Sequence, residues 1–297
     1  MNLRTEWIAV DWGTSCLRAW AMQGETAVAQ ATVGQGMSTL AQADYEPVLL
    51  GLVADWIRED PVDVVACGMV GARQGWVEAP YTAVPAAPLL VPPITISNTD
   101  PRLRVQVVRG LKQNKPADVM RGEETQIAGF LTQNAGWDGV ICLPGTHTKW
   151  VQISAGEVVS FRTFMTGELF ALLGTKSILR HSIGRGWDRD AFAEGVDDTL
   201  SKPENLASRL FGLRARDLLE ERDPDVTRAH LSGLLIGAEL AAARAYWLGQ
   251  QMAVIGAHEL SESYASALQR QGAFVTQFDA EAMTLAGLVA ARKLLKS

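Results

Sequence analysis

The 297-residue chain contains few of the residues that mark secreted or metal-binding proteins. Its cysteines are Cys16, Cys67 and Cys142, which are widely spaced and lie in or beside apolar stretches. This odd set predicts reduced core residues of a cytoplasmic protein, because disulfide frameworks and zinc sites use paired or closely spaced cysteines. The four histidines show no paired spacing of the kind that metal ligands use. We therefore expect no structural metal site.

The chain also lacks long apolar runs and clusters of basic residues. No stretch approaches the roughly 20 apolar residues that a membrane span requires, and no signal-peptide pattern precedes the first apolar segment. The net charge of −6 argues against nucleic acid as a partner. With 47% hydrophobic residues, the composition predicts a soluble globular protein of one large or two ordinary domains, and a homodimer is compatible with it.

What the chain does contain is a polar turn within Leu143–Trp150, between two apolar segments. Gly139–Cys142 before it is a short buried run, and Trp150–Ile153 after it alternates as a half-buried strand does. The turn, from Gly145 to Lys149, reads Gly-Thr-His-Thr-Lys. Glycine allows a ligand to approach the backbone, and hydroxyls, exposed amides and a cation suit phosphate oxygens. The residues alone leave two interpretations open, a phosphate-binding turn and an ordinary hairpin.

The same arrangement occurs near the N-terminus. Trp7–Asp11 predicts a strand, Gly13–Ser15 forms a Gly-Thr turn, and Leu17–Met22 predicts the returning strand. Gly13 and Gly145 fall at the same point of the two copies. A single repeat of this length favours two similar domains rather than a solenoid. We expect both hairpins to bind phosphate in one shared cleft.

Two further regions of the first half place polar residues beside predicted elements. Val62–Cys67 predicts a strand that ends in the glycine-rich segment Gly68–Trp76, and open α/β sheets bind ligands at such strand ends. Glu123 and Glu124 stand at the head of a helical run. They are interpreted either as partners of the helix dipole or as catalytic acids.

The second half of the chain is predicted to be mainly helical. Thr166 is the expected N-cap of one helix. Residues 182–230 are rich in charge and predict an irregular surface insertion with short helices. The strand predicted at Met252–Ile255 ends in Gly256 and Ala257, a junction that is compatible with a nucleotide site but is a weak signal alone.

Taken together, these motifs resemble those of the actin, hexokinase and Hsp70 superfamily, whose members carry two phosphate loops and an adenosine loop in this order. More narrowly, the chain resembles the 2-dehydro-3-deoxygalactonokinase family over nearly its whole length. The segments that carry this narrower resemblance are Val10–Ser15, Gly68–Trp76, Glu78–Tyr81, Arg121–Gln126, Leu143–Trp150, Phe164–Leu169 and Leu231–Glu239. The second loop departs from the superfamily pattern, because Pro144 lies where many members have an acidic residue.

The resemblance implies an α/β fold with two similar ribonuclease H-like (actin-like ATPase) domains around a central nucleotide cleft. Residues 1–135 would form the N-terminal domain, with the substrate site and the first phosphate loop, and residues 136–297 the C-terminal nucleotide-binding domain. The last helix, residues 280–295, would pack back on the first domain. The implied reaction transfers the γ-phosphoryl group of ATP, with Mg²⁺, to the 6-hydroxyl of 2-dehydro-3-deoxy-D-galactonate.

The resemblance also implies roles for individual residues. Asp11 is the expected Mg²⁺ anchor, acting through water because Mg²⁺ keeps several waters. An arginine can bind the substrate carboxylate through two parallel hydrogen bonds. Arg73 is the preferred arginine for this role, and Arg121 is the alternative. The residues expected to bind the sugar acid are Arg73, Gly71, Gln74 and Arg121. The residues expected to bind nucleotide or its phosphates are Gly13, Thr14, Ser15, Gly145, Thr146, His147, Lys149, Gly256 and Ala257.

Three carboxylates are candidates for the catalytic base. Related exopolyphosphatases carry a similar Gly-Glu-Glu segment upstream of the second phosphate loop, and its second acid is functional. By that similarity Glu124 is preferred, Glu123 is the reserve, and Asp11 ranks third because metal binding would occupy it.

Two other classes of function stay open at this point. An exopolyphosphatase-like phosphohydrolase shares the superfamily and the Gly-Glu-Glu element, but it should need a basic channel for polyphosphate. With 27 basic against 33 acidic residues, no such channel is evident. A catalytically silent protein that senses sugar or nucleotide would usually carry a DNA-binding segment or lack a catalytic acid, and the chain shows neither feature.

Overall fold

The computed structural model describes residues 5–97 and 99–296, and within these ranges the strands form one six-stranded, one five-stranded and one three-stranded sheet. The strands are β1 (Trp7–Trp12), β2 (Leu17–Gln23), β3 (Thr26–Val33), β4 (Val62–Gly68), β5 (Thr82–Ala83), β6 (Ile94–Thr95), β7 (Leu103–Val107), β8 (Leu111–Asn114), β9 (Ala117–Met120), β10 (Gly139–Leu143), β11 (Thr148–Ser154), β12 (Glu157–Phe164), β13 (Met252–Gly256) and β14 (Val275–Asp279). The helices are α1 (Tyr45–Val53), α2 (Glu123–Gln133), α3 (Thr166–Lys176), α4 (Arg189–Ser201), α5 (Leu206–Glu220), α6 (Pro224–Ala242), α7 (Arg244–Trp247), α8 (His258–Gln269) and α9 (Ala280–Leu294).

The six-stranded sheet has the order β3-β2-β1-β4-β7-β6. Strand β1 pairs antiparallel with β2 and parallel with β4, so it is an interior strand. Its side chains are buried on both faces, because Ile8 and Val10 belong to the core that contains Leu49 of α1, whereas Trp7 contacts the core that contains Leu288 of α9. A nearly continuous apolar run is what a strand covered on both faces requires.

The five-stranded sheet has the order β12-β11-β10-β13-β14. It repeats the first arrangement: β10 takes the place of β1, and β13 and β14 run parallel to it as β4 and β7 do to β1. The core beside this sheet contains Trp150 and Val254 from the strands and Phe192, Ile236 and Tyr264 from helices. The duplicated α/β architecture that the sequence predicts is therefore confirmed.

The chain divides into two compact units. The first unit comprises the chain up to Trp137, Ile153–Ser160 and the C-terminal segment from Ala280, and the second comprises Asp138–Gln152 and Phe161–Asp279. Helix α9 therefore belongs to the first unit, where it packs against α2 as well as against the sheet.

Three local expectations differ from the structure. Residues 182–230 are expected to be irregular with short helices, but α4 has 13 residues and α5 has 15. Helix α4 places Phe192 and Val196 in the core of the second unit, while its charged residues stay on the outer face. Thr166 is the first residue of α3, and Met165 is the residue at the N-cap. The hairpin of β8 and β9 lies where no strand is predicted.

A close backbone approach fixes α9 against α2. A methyl group added to Gly287 would overlap the carbonyl oxygen of Thr125, so only glycine fits at this crossing. We expect Gly287→Ala to lower the free energy of unfolding by about 1–3 kcal/mol, because the overlap outweighs the higher helix propensity of alanine. Gly51→Ala in α1 is the matched control, since no atom lies within 4 Å of its added methyl group, and it should stabilise the protein slightly. Urea unfolding of both variants measures the difference. A Gly287→Ala variant that is as stable as the wild type would contradict the packing.

Candidate functional site

The first Gly-Thr hairpin exposes its tip at the end of a buried strand. Gly13 follows β1, and its backbone N–H donates to the carbonyl oxygen of Cys16 at 2.9 Å. Thr14 and Ser15 are exposed. The loop is held from one side, because the backbone N–H and the hydroxyl of Ser38 both donate to the carbonyl oxygen of Thr14, at 3.0 and 2.9 Å. The tip can therefore offer amides and hydroxyls to an anion while its backbone stays in place.

Asp11 lies at the end of β1 and forms an ion pair. Its Oδ2 accepts a hydrogen bond from Nη2 of Arg18 at 2.8 Å, and the other end of this guanidinium lies 3.4 Å from Glu281. The side chain of Asp11 is only 14% exposed. Burial raises the pKa of Asp11, and the charge and hydrogen bond of Arg18 oppose that shift. Its Oδ1 lies 3.8 Å from the thiol of Cys67, a weak contact.

Glu124 is completely buried at the start of α2. Its Oε2 accepts the N–H of Gly122 at 2.7 Å, and its Oε1 accepts the hydroxyl of Thr125 at 3.0 Å. Burial, with the negative charge of Glu123 as a second cause, raises the pKa of Glu124 to about 7, although backbone hydrogen bonds and Arg121 oppose the shift. The carboxyl therefore changes its protonation state near neutral pH, as a general base or acid must.

Two glycines with positive φ bring Asp11 and Glu124 close to the same backbone segment. Gly68, at the end of β4, has φ +87°, and a Cβ there would lie 3.4 Å from Oδ1 of Asp11. Gly122, just before α2, has φ +105°, and its Cβ would lie 3.3 Å from Cα of Gly68. Cys67 contacts Asp11 and hydrogen-bonds Thr125, and both carboxylates act on its pKa, which burial raises strongly. The first unit thus groups Asp11 and Glu124 at the ends of β1 and β4.

The arginines of the predicted sugar-acid site have opposite environments. Arg73 is 79% exposed, and its Nε donates to Glu78 at 3.1 Å. Arg121 is buried, donates from Nη2 to the carbonyl oxygen of Ala79 at 2.7 Å, and lies over the ring of Tyr81. Nε and Nη1 of Arg121 are buried and make no hydrogen bond within the described part of the chain. Arg121 therefore holds the segment after β4, whereas Arg73 is exposed and forms a solvated ion pair with Glu78.

The neighbours of the two arginines also differ in exposure. Gly71 is buried against the guanidinium of Arg121, because a Cβ there would lie 2.8 Å from its Nη1. Gln74 is exposed, as Arg73 is. Glu123 accepts the backbone N–H of Arg121 at 3.0 Å, so its carboxylate helps to shape the turn before α2.

The second Gly-Thr hairpin is fixed by the start of α3. Thr146 and His147 are exposed, and the backbone N–H of Glu168 donates to the carbonyl oxygen of Thr146 at 2.9 Å. Nε2 of His147 lies 2.6 Å from Oε2 of Glu168. Lys149 is 5% exposed and donates to the carbonyl oxygen of His147 at 3.3 Å, so its ammonium is engaged within the loop.

A cavity of about 1050 Å³ lies in the second unit beside this hairpin. Gly145 and Thr146 line one part of it, and α4, α6 and α8 supply most of the rest. Its basic residues include Arg185, Arg189 and Arg228. The guanidinium of Arg228 lies 5.3 Å from the ring centroid of Phe170 and 5.8 Å from that of Trp187. The cavity thus combines backbone donors, cations and aromatic faces, which suits a nucleotide.

The predicted adenosine junction lies next to the same hairpin. Gly256 ends β13, and a Cβ there would lie 3.4 Å from the Pro144 ring and 2.7 Å from the hydroxyl oxygen of Ser261. Ala257 is exposed and directly precedes α8, whose residues line the cavity. The second unit therefore brings Gly145, Thr146 and the junction at Gly256 together.

Sequence reasoning missed several residues of this region. Trp187 and Arg228 line the cavity, yet both fall in the segment predicted as a surface insertion. Glu239 is buried in α6 and accepts hydrogen bonds from Trp150 and Tyr264. A glutamate within an otherwise small and apolar helical run is a signal that could have indicated a buried polar role.

One cluster of possible metal-binding side chains occurs among the described residues, formed by Glu194, Asp198 and His230. Arg222 lies beside it, with Nη1 at 3.2 Å from Nδ1 of His230 and Nη2 at 3.6 Å from Glu194. Burial lowers the pKa of His230. Arg216 of α5 also pairs with Glu194, and Arg209 of α5 pairs with Asp198, so the cluster is part of an ion-pair network between α4, α5 and α6.

No helix in the described ranges combines the length and the apolar character that crossing a bilayer requires.

Fold and site together define the class of the protein. The repeated strand order, with a Gly-Thr hairpin after the first strand of each copy, is that of the actin-like ATPase fold. A profile of the 2-keto-3-deoxy-galactonokinase family matches residues 11–291. The chain therefore belongs to this family of kinases.

Individual relatives agree with this assignment. The chain is 37% identical to a probable 2-dehydro-3-deoxygalactonokinase of Rhizobium meliloti (strain 1021), over 97% of this chain and 96% of the relative. It is 35% identical to the 2-dehydro-3-deoxygalactonokinase of Escherichia coli (strain K12), over 96% of this chain and 97% of the relative. A crystal structure from Sinorhizobium meliloti, of a protein assigned as a 2-dehydro-3-deoxygalactonokinase, superposes with a TM-score of 0.90 at 36% identity and covers 97% of this chain and 99% of the other.

The raised pKa of Glu124 predicts a pH-dependent stability. Its carboxyl takes up a proton near pH 7 in the folded chain and near its ordinary value of 4.5 in the unfolded chain. Between these values the folded state binds more protons, so the wild type loses stability as the pH rises. Glu124→Gln does not titrate. The difference in unfolding free energy, Glu124→Gln minus wild type, should therefore increase by up to about 3 kcal/mol as the pH rises from about 5 to about 8.

Urea unfolding across this pH range measures the effect. Glu59→Gln, at an exposed acid of the same unit, controls for general effects of removing one negative charge. A difference between Glu124→Gln and wild type that stays constant with pH would show that Glu124 is not held neutral by burial.

Proposed function

We propose that the chain transfers the γ-phosphoryl group of ATP to the 6-hydroxyl of 2-dehydro-3-deoxy-D-galactonate. The observation that carries this proposal is the exposed Gly-Thr hairpin at Gly145–Thr146, which lines a nucleotide-sized cavity in a chain that belongs to a kinase family. The relatives named for this activity match nearly the full length of the chain, which supports the same substrate here.

The second unit is the nucleotide-binding part of the proposal. Gly145, Thr146 and His147 would give amide and side-chain donors to the phosphates, and Gly256 and Ala257 would lie at the adenosine. Arg228 and Trp187 add a cation and an aromatic face that suit the base or the ribose. Lys149 ranks below the other phosphate ligands, because its ammonium is buried and already donates to His147.

The first unit is the substrate and metal part of the proposal. Gly13, Thr14 and Ser15 would bind phosphate oxygens, since their loop is exposed at its tip and braced at its base. Asp11 fits a magnesium ion held through water: Arg18 engages one carboxylate oxygen, and the other has only a weak thiol contact. When bound, the ion supplies positive charge that offsets the charge of the polyphosphate.

The base of the reaction accepts the proton of the substrate hydroxyl as the new P–O bond forms. Glu124 suits this role because, with a pKa of about 7, a large fraction of it is ionised at neutral pH, and its carboxylate still has a high affinity for a proton. It is fully buried, so the substrate hydroxyl would replace the longer of its two hydrogen bonds, the one from Thr125. Glu123 is the reserve, and Asp11 is third because metal binding would occupy it.

The carboxylate of the sugar acid needs a cation that is free to reach it. Arg73 suits this role better than Arg121, because Arg73 is exposed and paired only across a solvated contact with Glu78, whereas Arg121 is buried. Exposed ion pairs of this kind contribute little, so exchanging Glu78 for a substrate carboxylate costs little. Gln74 is exposed beside Arg73, and Gly71 keeps the turn narrow.

The two other classes of function are less well supported. An exopolyphosphatase-like hydrolase shares the superfamily, but the named relatives at 35–37% identity are sugar-acid kinases. A silent sensor is disfavoured because Asp11 and Glu124, the two carboxylates that catalysis needs, are present and close to the same backbone segment.

An ATP-consumption assay tests the proposed function. The purified chain is mixed with ATP, Mg²⁺ and, in separate reactions, 2-dehydro-3-deoxygalactonate, other 2-keto-3-deoxy sugar acids and aldonic acids. We expect ADP to form at a rate that depends on 2-dehydro-3-deoxygalactonate, with a phosphorylated sugar acid as the second product. ADP release that is independent of every sugar acid would indicate a hydrolase, and no turnover with any substrate would indicate a silent protein.

The base assignment predicts unequal effects at neighbouring acids. Glu124→Gln keeps size and hydrogen bonding but removes the proton acceptor, so turnover should fall by about 100- to 10,000-fold with nucleotide affinity nearly intact. Glu123→Gln should lower turnover far less. Because the charge of Glu123 raises the pKa of Glu124, its removal should also extend activity to lower pH.

The pH–rate profile and the affinity for ATP, measured for both variants and for Asp11→Asn, separate these roles. If Glu124→Gln retains near-normal turnover while Asp11→Asn with excess Mg²⁺ loses it, Asp11 is the base.

The acid-binding role predicts a selective defect in Arg73→Ala. The KM for the sugar acid should rise by about 10- to 100-fold, the effect of losing one charge-assisted contact, while the KM for ATP scarcely changes. Arg104→Ala is a matched control, since Arg104 is also an exposed arginine paired with an acid, Asp63, in the same unit. An unchanged KM for the sugar acid would transfer the role to Arg121 or to another cation.

A further inference from the structure

Glu239 is a buried carboxylate that the proposed chemistry does not use. It lies in α6 with 3% of its surface exposed. Its Oε1 accepts the indole N–H of Trp150 at 2.7 Å, and its Oε2 accepts the phenol of Tyr264 at 2.8 Å. The hydroxyl of Thr166 donates to it as well. Burial raises the pKa of Glu239, and these three hydrogen bonds oppose that shift. Three neutral donors on three different segments therefore converge on one carboxylate and stabilise its ionised form, which can only accept.

Each of these donors belongs to a segment that shapes the second Gly-Thr hairpin. Trp150 lies two residues beyond the buried Thr148 in β11. Thr166 begins α3, and its neighbour Gly167 packs so closely that an added Cβ would overlap the carbonyl oxygen of Gly145. The next residue of α3, Glu168, donates its backbone N–H to the carbonyl oxygen of Thr146 at 2.9 Å. Glu239 thus anchors the segments on both sides of the loop.

The third donor, Tyr264, connects Glu239 to Thr148 of the loop, and the direction of hydrogen-bond donation along this connection is fixed. The hydroxyl of Thr148 lies 2.9 Å from the phenol oxygen of Tyr264. Tyr264 gives its proton to Glu239, so the proton between Tyr264 and Thr148 must come from Thr148. All three groups are buried. The hydrogen-bond chain Thr148–Tyr264–Glu239 therefore has one polarity, which the charge of Glu239 sets.

We propose that Glu239 is a positioning residue for nucleotide binding, which holds the Gly145–Thr148 loop in the conformation that presents its amides to the phosphates of ATP. The inference rests on the proposed function, because it assigns the phosphate-binding role to this loop. Glu239 itself touches no substrate in this assignment. It acts through Trp150, through Thr166 and α3, and through Tyr264 and Thr148.

Glu239→Gln tests the polarity of this network with a minimal change of shape. The indole N–H of Trp150 can only donate, so the glutamine oxygen must face it and the amide N–H₂ must face Tyr264. Tyr264 would then have to accept from the amide and donate to Thr148, which reverses the chain. Tyr264→Phe is the second variant: it removes the hydrogen bonds of Tyr264 to Glu239 and to Thr148, and it leaves Glu239 with Trp150 and Thr166 as donors. Tyr264 also lines the cavity, but only 1% of its surface is exposed.

The measurements are calorimetric affinities of each folded variant for ATP with Mg²⁺ and for adenosine, together with the KM for the sugar acid. We expect ATP affinity to fall about tenfold in Glu239→Gln and several-fold in Tyr264→Phe. Adenosine affinity and the KM for the sugar acid should stay within about twofold of wild type. The double variant should be hardly weaker than Glu239→Gln alone, because both substitutions interrupt one chain.

Thr199→Val is the matched control for loss of stability alone. Its buried hydroxyl donates to the carbonyl oxygen of Leu234 at 2.7 Å, in the contact between α4 and α6, and it does not line the cavity. This variant should lower the thermal midpoint but keep wild-type ATP affinity. If Glu239→Gln and Tyr264→Phe behave in the same way, the positioning role is wrong.

The outcome also separates this inference from the proposed function. A wild-type chain that does not bind ATP would overturn both. A wild type that phosphorylates the sugar acid, with variants at Glu239 and Tyr264 that bind ATP normally, would overturn only the positioning role. Equal loss of ATP and adenosine affinity would show that Glu239 supports the whole cavity and not the phosphate loop.

Discussion

Three buried carboxylates impose the main physical constraint on this chain, because an ionised side chain that leaves water must find charge or hydrogen bonds inside the protein. The structure meets this need differently for each one. Asp11 receives a guanidinium, Glu124 receives a backbone amide and a hydroxyl, and Glu239 receives an indole, a phenol and a hydroxyl. Each set of partners holds the backbone beside its carboxylate, so the hydrogen bonds of the acids help to determine the conformations of the site loops.

The different solutions also suit the three acids to the different roles that we propose for them. Asp11 has a cation beside it, so its carboxylate suits a fixed negative charge next to a hydrated metal ion. Glu124 has only neutral donors in direct contact and an acidic neighbour, Glu123, so burial leaves its pKa near neutrality. Glu239 has three donors that hold it as an acceptor. A group that must exchange a proton needs a pKa near neutrality, as Glu124 has. A group that must hold its neighbours needs several hydrogen-bond donors around it, as Glu239 has.

The sequence predicted the strands of the site well because their apolar runs stand out from the flanking polar and glycine residues. The apolar runs of β1, β4, β10 and β13 are short, continuous and followed by glycine, and each ends within two residues of the predicted position. The duplicated hairpins could be recognised because Gly13 and Gly145 stand at the same offset from those runs. Glu123 and Glu124 at the head of α2 were also located correctly, since a helix start is a local feature.

The remaining features depend on contacts between distant segments, which no local pattern records. The sequence predicts only short helices in 182–230 and does not predict that α4 is buried, since its Phe192 and Val196 become core residues only when α6 packs against them. The contrast between Arg73 and Arg121 depends on Ala79 and Tyr81, which cover one arginine and not the other. The role of Glu239 depends on Trp150 and Tyr264, at sequence separations of 89 and 25 residues.

The two copies of the hairpin show how one topology can be adapted to two tasks. In the first copy, Ser38 from the following loop donates twice to the carbonyl oxygen of Thr14, so the tip is braced locally. In the second copy, the brace is α3, whose first turn bonds to Thr146 and is itself held by Glu239. Because α3 is hydrogen-bonded to Glu239, a substitution in α6 can alter the position of α3 without changing the sequence of the loop.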